Sequence, residues 1–392
     1  MISHTEAIDI INKYVSNGKE TNLNLNNALN HILSRDIYSA INFPPFSQSA
    51  MDGYAISHIS ESLIYSIEGE VAAGDNAEDI QIREKEAVRI FTGAMLPSNA
   101  IAVIKQEDVE LVDVKTIAIN KVVKAEENIR PIGEQTKTGE LILSKGTKLT
   151  PGSIGYLAML GISTVSVYKK PTIIIIATGS ELLPQGEKLT PGKIYESNTY
   201  TLKAALQSQG FKADVKIVKD DPESTNTIAK EAIEKYDFII FTGGISVGDY
   251  DFVHDVLVEC GVQELFYKVK QKPGKPLYFG MKDNKIIFAL PGNPAAVLTS
   301  FYIYVLEALG KYLGDDKLKL SHSHRVINDE YVKSKNLTYF LKGKKSKTEV
   351  SILKDQSSAM LSSFVHADCL IILPEGVEKI EKGEKVEIIS LR

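Results

Sequence analysis

Residues 173–182 read IIIIATGSEL, and this stretch determines how the middle of the chain is expected to fold. Four consecutive isoleucines suit a central parallel strand buried on both faces, because such strands read as continuous apolar runs. Predicted helices and strands then alternate along the chain: helix 199–208, strand 213–218, helix 223–235, strand 238–241, helix 251–259 and strand 262–269. This alternation is typical of an open parallel α/β sheet, which we place at residues 171–315.

The N-terminal region has a helical pattern instead. Apolar residues recur there at helical spacing, at Ala7, Ile8, Ile11, Tyr14 and Val15. Residues 24–33 could form a second short helix, and a helix over 154–160 is followed by a strand over 164–168. We therefore predict a helical or mixed N-terminal linker domain that comprises residues 1–46 and 125–170.

Two further regions contain short β-rich runs separated by turn residues. In the first, the runs 87–91, 100–104 and 116–119 predict an inserted β domain at residues 47–124. In the second, runs such as 351–353 and 385–389 predict a small C-terminal β domain at residues 316–392.

The composition is that of an ordinary globular protein. The 392 residues are 43% hydrophobic and 24% charged, with a formal net charge of −5. The acidic balance argues against general nucleic-acid binding, and no apolar run approaches the length of a membrane span. The N-terminus lacks a signal-peptide pattern, and we interpret the two cysteines, Cys260 and Cys369, as buried thiols in a reducing cytoplasm.

Small-residue loops follow three of the predicted strands, at the edge of an α/β sheet where ligands bind. Glycines let the backbone approach an anion, and exposed N–H groups near a helix start attract phosphate. The alternative is that these are ordinary strand-to-helix turns. The predicted substrate-binding residues in these loops are Thr178, Gly179, Ser180, Thr242, Gly243, Gly244, Ser246, Gly248, Asp249, Pro291, Gly292, Asn293 and Pro294.

Carboxylates also lie at these strand ends, at Glu181, Asp220, Asp221, Asp249 and Asp251. Acidic groups beside a phosphate site need a cation between them, and Mg²⁺ prefers carboxylate oxygens combined with substrate phosphates. The alternative is that these aspartates only cap the helices that follow. We predict Glu181, Asp221 and Asp251 as Mg²⁺ ligands.

Residues 272–276 read KPGKP and carry two lysines on a turn that prolines make rigid. Lys272 and Lys275 could bind phosphate or another oxyanion there, although a basic surface hairpin is the alternative. Three upstream loops also combine glycine with polar residues: MDGYA at 51–55, FTGA at 91–94 and RPIGE at 130–134. None of these three loops is specific by itself.

Together these motifs resemble the MoeA family of molybdopterin molybdenumtransferases, which includes the E domain of gephyrin. The resemblance spans essentially the whole chain, with the motifs in the same order: MDGYA, FTGA, TGSEL, the run TGGISVGDYD at 242–251, KPGKP and the PGNP loop at 291–294. The set is specific, whereas TGSEL and TGG alone also occur in related pterin-binding and nucleotide-pyrophosphatase domains.

The resemblance implies a multidomain α/β protein with a MogA/MoaB-like central domain, an inserted β domain and a small β-barrel-like C-terminal domain. It implies a homodimer whose active site is shared, with Asp52, Thr92 and Glu134 supplied by the partner chain. The catalytic set that it predicts is Asp52, Glu181, Asp221, Asp251, Lys272 and Lys275, with Pro291 beside them. One departure is Gln135, where the family often has aspartate after Gly-Glu.

The implied reaction inserts molybdate into adenylyl-molybdopterin with Mg²⁺ and releases AMP, in the cytoplasm. The resemblance is also consistent with a molybdopterin adenylyltransferase as a partner. We expect no nucleic-acid partner and no association with a membrane. Three competing hypotheses are a molybdopterin adenylyltransferase, a nucleotide pyrophosphatase and a non-enzymatic scaffold. The MDGYA domain, the β tail and the ISVGDYD continuation of the second loop count against the two enzymes.

Overall fold

The computed structural model describes residues 1–245 and 252–391, and the chain divides into two compact units. The larger unit comprises Met1–Thr21 and Ser166–Arg392, and the smaller unit comprises Asn22–Val165. The predicted site residues Ser246, Gly248, Asp249 and Asp251 lie outside the described residues. The four-domain division proposed from the sequence stays a prediction.

The helices are α1 (His4–Tyr14), α2 (Pro151–Met159), α3 (Asn198–Ser208), α4 (Pro222–Lys235), α5 (Val253–Glu259), α6 (Pro294–Ser300), α7 (Leu306–Leu313) and α8 (Ser362–His366). Short 3₁₀ turns lie at Leu25–Asn27 and Gln106–Asp108, and a π-helical turn at Phe301–Val305 joins α6 to α7.

The strands up to residue 168 are β1 (Glu20–Asn24), β2 (Ile37–Tyr38), β3 (Gln48–Ser49), β4 (Gly53–Ile56), β5 (Ile64–Val71), β6 (Glu86–Ile90), β7 (Ala102–Lys105), β8 (Val109–Asp113), β9 (Thr116–Ile119), β10 (Ile129–Arg130), β11 (Leu141–Leu143) and β12 (Thr164–Tyr168). Those that follow are β13 (Ile173–Thr178), β14 (Leu182–Leu183), β15 (Ile194–Tyr195), β16 (Asp214–Val218), β17 (Phe238–Thr242), β18 (Gln263–Tyr267), β19 (Gln271–Lys272), β20 (Tyr278–Lys282) and β21 (Lys285–Leu290). The C-terminal strands are β22 (His322–Ile327), β23 (Tyr331–Val332), β24 (Thr338–Lys345), β25 (Glu349–Ile352), β26 (Cys369–Leu373), β27 (Lys379–Ile380) and β28 (Lys385–Ser390).

The isoleucine run forms β13, an interior strand of a six-stranded sheet in the larger unit with the order β16-β13-β17-β21-β20-β18. All six residues of β13 are buried, as the continuous apolar pattern predicts. β16, β13, β17 and β21 are mutually parallel. The chain leaves β13 towards β16 and leaves β17 towards β18, so a crevice is expected beyond the carboxyl ends of β13 and β17.

The other edge of this sheet is antiparallel, which the sequence analysis does not predict. β20 pairs antiparallel with both β21 and β18. The residues between β20 and β21 are Asp283 and Asn284, and Asp283 has a φ of 51°. Aspartate and asparagine tolerate this left-handed conformation, so a two-residue hairpin replaces the helical crossover of a parallel pair.

The C-terminal strands of the larger unit close into a barrel. The ladder β24-β25-β22-β28-β26 returns to its start through an antiparallel pairing of β26 with β24. The interior includes Ile327, Leu341, Ile371 and Ile388. The short strand β19, which contains Lys272, adds to β24 in parallel, with Lys272 opposite Tyr339.

Helix α1 confirms the predicted first helix. Ser3 and Glu6 form a capping box at its start, and Ala7 and Ile11 are buried. The predicted second helix over 24–33 is wrong, because only Leu25–Asn27 forms a 3₁₀ turn. Asn24 accepts a hydrogen bond from the backbone of Asn26, and this local bond competes with helix propagation.

The smaller unit contains a six-stranded sheet with the order β7-β4-β6-β5-β9-β8. Apolar clusters cover both faces of this sheet: Ile56 and Ile104 belong to one cluster, and Val88 and Val103 to the other. The predicted strand 116–119 matches β9, and the predicted strand 87–91 is shifted by one residue from β6.

Both cysteines are buried free thiols, as predicted. Burial raises the pKa of Cys369 to about 12. Within the described part of the chain, no helix combines the length and the apolar character needed to cross a membrane. The cytoplasmic location stays a prediction.

Candidate active site

A cleft of ≈ 1020 Å³ opens in the larger unit where β13, β17 and β21 end. The sequence analysis predicts a binding edge at this place. The predicted residues that line the cleft are Thr178, Gly179, Glu181, Thr242, Gly243, Gly244, Lys272, Lys275, Pro291, Gly292, Asn293 and Pro294. Ser180 is exposed and does not belong to this lining. Three separate glycine loops and the lysine turn therefore meet around one cleft.

The loops after β13 and β17 pack against each other through their backbones. Gly243 has a φ of 90°, and a Cβ atom there would lie 2.4 Å from the Thr178 carbonyl oxygen. Only glycine fits this conformation and this approach without strain. The Gly243 N–H donates to the Leu290 carbonyl at 3.2 Å, which ties the second loop to β21.

Asn198, at the start of α3, joins the second and third loops. Its side-chain amide donates to Thr242 Oγ1 at 3.0 Å and to the Gly292 carbonyl at 2.8 Å. Helix α3 begins at Asn198 because the Glu196 carboxylate accepts the Thr199 N–H at 2.8 Å. A polar residue at a helix start is common, so no sequence signal distinguished this role from capping.

Helix N-termini contribute less positive potential to the cleft than the sequence analysis expects. At the N-terminus of α3, the Glu196 carboxylate already accepts the Thr199 N–H at 2.8 Å, so this helix-end donor does not face a ligand. At α6, the Ala295 and Ala296 N–H groups donate to the Ser358 carbonyl at 3.0 and 3.3 Å. The lysine side chains are therefore the main positive groups that the described residues bring to the cleft.

Lys272 and Lys275 are both exposed and line the cleft. Lys272 Nζ lies 5.0 Å from the centre of the Tyr339 ring, within range of a cation–π interaction. The Val269 N–H donates to the Lys275 carbonyl at 3.0 Å and closes the turn. Across the described ranges, no carboxylate forms an ion pair with either ammonium group, so both charges can meet an anionic ligand.

Two carboxylates of the strand ends line the cleft, Glu181 and Asp220. The neighbouring Asp221 instead caps α4, since its Oδ1 accepts the Ser224 N–H at 2.8 Å. This hydrogen bond lowers the pKa of Asp221. The role of Asp221 as a metal ligand stays a prediction, and Asp220 faces the cleft in its place.

These carboxylates fit Mg²⁺ better than a metal that the protein encloses. Among residues 1–245 and 252–391, no group of three or more His, Cys, Asp and Glu side chains could hold a metal ion. Mg²⁺ commonly binds through one or two carboxylates together with substrate phosphates, keeping several waters. Glu181 and Asp220 supply a pair of this kind beside the glycine loops.

The C-terminal region also lines the cleft, through Ser357, Ser358 and Ala359. The amide of Asn293 donates to Ser358 Oγ at 3.0 Å, which joins this segment to the third glycine loop. The sequence around Ser358 has no glycine or charge motif, and sequence analysis therefore missed it.

A buried lysine holds this segment in place. Lys342 on β24 is 2% exposed, and its Nζ donates to the carbonyl oxygens of Asp355, Ser357 and Met360 at 2.8, 3.2 and 3.2 Å. Burial lowers the pKa of Lys342 to about 8. One charged residue inside the apolar stretch TYFLKG was the available signal for an internal contact of this kind.

In the smaller unit, the predicted residues Asp52 and Thr92 form a corner. Asp52 Oδ1 accepts hydrogen bonds from the backbone N–H and from the hydroxyl of Thr92, both at 2.8 Å. These bonds lower the pKa of Asp52 and hold its carboxylate in the charged form. Glu134 is exposed in a separate turn, and the described residues show no hydrogen bond from it to Asp52 or Thr92.

The fold and the cleft define a class of multidomain α/β proteins with a polar, lysine-bearing site at the switch point of a largely parallel sheet. Three family models match the chain in succession. They are the MoeA N-terminal region (domain I and II) at residues 2–161, a probable molybdopterin binding domain at 174–311 and the MoeA C-terminal region (domain IV) at 325–391.

Full-length relatives agree with these matches. The molybdopterin molybdenumtransferase of Staphylococcus aureus is 34% identical over 397 residues, covering 98% of this chain and 94% of that protein. The Haemophilus influenzae protein of the same name is 36% identical over 375 residues, covering 93% and 92%. The chain belongs to the MoeA family.

A solved structure confirms the fold. The crystal structure of a molybdopterin biosynthesis MoeA protein from Pyrococcus horikoshii superposes with a TM-score of 0.88 at 29% identity. The match covers 100% of this chain and 99% of that one. The resemblance and the fold class predicted from the sequence are both confirmed.

Proposed function

We propose that this chain inserts molybdate into adenylylated molybdopterin and releases AMP in molybdenum cofactor biosynthesis. The observation that carries the proposal is the cleft, in which three glycine loops surround one space together with three exposed lysines, Lys272, Lys275 and Lys335, and three carboxylates, Glu181, Glu196 and Asp220. The full-length match to proteins named molybdopterin molybdenumtransferase supports the same activity.

The substrate fits the polarity of this cleft. Adenylylated molybdopterin carries a pyrophosphate, and molybdate is a doubly charged oxyanion, so both substrates need positive charge near the backbone loops. Lys272 and Lys275, which form no ion pair with any other described residue, supply two ammonium groups, and charge-assisted hydrogen bonds of this type are about twice as strong as neutral ones. The loops that Asn198 joins supply polar backbone to position the pterin and the phosphates.

The chain's own groups favour positioning and electrostatic stabilisation over covalent catalysis. Neither Cys260 nor Cys369 lines the cleft, and burial raises the pKa of both thiols. The two lysines would neutralise charge that develops on molybdate and on the leaving phosphate of AMP. Bound Mg²⁺ would supply further neutralisation of the pyrophosphate, held by Glu181 and Asp220 together with the predicted ligand Asp251.

A direct assay tests the function. The protein is incubated with adenylylated molybdopterin, Mg²⁺ and molybdate, and AMP release and pterin-bound molybdenum are both measured. The proposal expects both products in equal amounts. AMP without bound molybdenum would indicate a pyrophosphatase, and the absence of both would favour a scaffold. Pterin adenylylation on incubation of molybdopterin with ATP would indicate an adenylyltransferase.

A second part of the proposal is that the chain works as a homodimer in which Asp52 of one copy completes the cleft of the other. This part is supported by the corner that Asp52 forms with Thr92, where the charged side chain of Asp52 is exposed. Mixing inactive Asp52→Ala chains with inactive Lys275→Ala chains tests it. Random pairing of a shared site should restore about a quarter of wild-type activity. No recovery in chains that are shown to exchange would contradict a shared site.

A further inference from the structure

A buried chain of hydrogen bonds lies directly behind the lysine turn. The Gln271 side-chain amide donates to the Gly274 carbonyl at 3.0 Å, between the two lysines of the turn. The Tyr304 hydroxyl donates to Gln271 Oε1, and His4 Nδ1 lies 3.0 Å from the same hydroxyl. Gln271 is 1% exposed and Tyr304 is fully buried.

These hydrogen bonds form a relay from His4 through Tyr304 and Gln271 to the Gly274 carbonyl. The chemistry of the three side chains gives the relay a single direction. The Tyr304 hydroxyl has one proton and donates it to Gln271, so His4 Nδ1 must carry hydrogen and donate to the Tyr304 oxygen. Burial lowers the pKa of His4 to about 4, so the ring is neutral at physiological pH. Hydrogen bonds then run in one sense from His4 to the Gly274 carbonyl.

The hydrogen bonds of the relay are not needed to close the turn. The backbone bond from Val269 to Lys275 already closes the turn, and an apolar side chain at position 271 would avoid burying an amide. The Gln271 amide instead holds the carbonyl of the peptide group that links Gly274 to Lys275. A Cβ atom on Gly274 would lie 3.2 Å from Gln271 Nε2 and 3.0 Å from Ser300 Oγ, so this peptide is closely packed.

The elements that carry the relay are themselves anchored. Ile2 donates to the Lys268 carbonyl at 3.2 Å and accepts from the Lys270 N–H at 2.8 Å, so the N-terminus pairs in parallel with the segment that leads into Gln271. Tyr304 lies in the π-helical turn Phe301–Val305. Such turns are rare and occur frequently at functional sites, and this one interrupts a helical run next to the cleft.

We propose that Gln271 and Tyr304 are positioning residues, whose buried hydrogen bonds hold Lys272 and Lys275 in the geometry that binds molybdate. The proposal rests on the proposed function in that it takes molybdate as the ligand of these lysines. Gln271 lies in the wall of the cleft with only 1% of its surface exposed, and both residues act on the lysines through the Gly274 peptide. The N-terminal His4 supports the relay from the opposite end.

Three variants of the full chain test the proposal: Gln271→Met, Tyr304→Phe and the double substitution. Gln271→Met should weaken molybdate binding about tenfold, since small displacements of binding groups have large effects. The dissociation constant is measured by calorimetric titration with molybdate alone, and the KM for molybdate by the insertion assay, where kcat should change less than twofold. Gln263→Met, on the exposed face of β18, is the matched control and should match wild type.

The double variant separates positioning from stability. Tyr304→Phe leaves Gln271 Oε1 buried without a partner, and the double variant leaves the buried Gly274 carbonyl without one, so the two melting temperatures should fall by similar amounts. The molybdate affinity of the double variant should be about tenfold weaker than that of wild type, as in Gln271→Met, because Gly274 lacks its donor, whereas Tyr304→Phe keeps this donor and should bind molybdate more tightly than the double variant. Equal molybdate affinity in Tyr304→Phe and the double variant, or unchanged affinity in Gln271→Met, would overturn the proposal.

The two proposals fail in different ways. A wild-type protein that binds molybdate but forms no molybdenum-loaded pterin would refute the proposed function alone, and the titrations of the variants would still decide the relay. Normal insertion by wild type together with an unchanged KM in Gln271→Met would refute the relay alone. Wild-type protein that binds no molybdate in the titration and shows no saturation by molybdate in the assay would refute both.

Discussion

The cleft of the larger unit and the Asp52 corner of the smaller unit hold their charged groups in opposite ways. In the cleft, exposed Lys272 and Lys275 stand on a turn that is supported by the buried amide of Gln271 and the buried phenol of Tyr304. At the corner, one exposed carboxylate is held by two hydrogen bonds from the single residue Thr92. Water can replace a lost bond at the corner, whereas behind the cleft a lost partner leaves a buried group unpaired.

This contrast predicts which substitutions should change activity alone and which should change both activity and stability. Exposed groups of either region should affect activity without unfolding the protein. Buried supports of the cleft should affect both, because their partners cannot find water.

The largest effect is expected from Glu181→Ala in the cleft. The side chain is exposed, so the protein should fold normally while molybdenum insertion falls by about a hundredfold or more. Glu187→Ala, at an exposed glutamate outside the cleft lining, is the matched control and should retain full activity. Near-wild-type insertion by Glu181→Ala at low molybdate would show that this carboxylate has no role in the reaction.

The next largest effect is expected in the pH dependence of folding stability, through His4 at the far end of the relay. Burial lowers the folded-state pKa of His4 from its ordinary value of 6.5 to about 4, and the titratable groups that face it are His322, Glu387 and Glu307. The folded state therefore disfavours protonation, so the contribution of His4 to stability is complete above pH 6.5 and is lost as the pH falls towards 4. At pH 5 the loss should be about 2 kcal/mol.

Denaturant unfolding at pH 7 and pH 5 measures this loss. His4→Asn keeps a donor near Tyr304 but cannot titrate, so its stability should fall less between the two pH values than that of wild type. His366→Asn, at an exposed histidine, should behave like wild type. Equal pH dependence in His4→Asn and wild type would refute the role of His4 burial.

A smaller effect is expected from Asn198→Ala, which removes the amide that joins two glycine loops. The loss of its bonds to Thr242 and Gly292 should reduce the free energy of unfolding by about 1–2 kcal/mol and also reduce insertion. Asn226→Ala, whose amide bonds the exposed Glu259 at 2.8 Å, should cost less than about 0.5 kcal/mol. Similar losses in the two variants would show that the two loop-joining bonds of Asn198 contribute no more to stability than the single exposed bond of Asn226.

The smallest effect on stability is expected from Asp52→Asn at the corner. The amide oxygen can still accept both bonds from Thr92, so the unfolding midpoint should match that of wild type. The negative charge is lost, and insertion should fall by about threefold to tenfold. Activity equal to wild type would show that Asp52 acts through its hydrogen bonds, with no need for its charge.

Much of the fold and the outline of the site could be predicted because the relevant signals are local. Apolar patterns identified β13, β17 and α1, and the strand-end rule placed three glycine loops at one edge of the sheet. The predicted helix over 24–33 failed because asparagine side chains bond to nearby backbone. The β20–β21 hairpin was missed because its two-residue turn at Asp283 was not recognised.

The sequence by itself determined which chemical groups are available: glycine loops, lysines on a proline-rich turn, strand-end carboxylates and thiols kept away from them. Only the tertiary structure decided which of these groups face the cleft and what holds them. Asp220 and Asp221 are adjacent in the chain, yet one faces the cleft and the other caps a helix. His4, Gln271 and Tyr304 form one relay across some 300 positions of sequence. Hydrogen bonds depend on distance and direction in space, so partners that folding brings together leave no local pattern in the sequence.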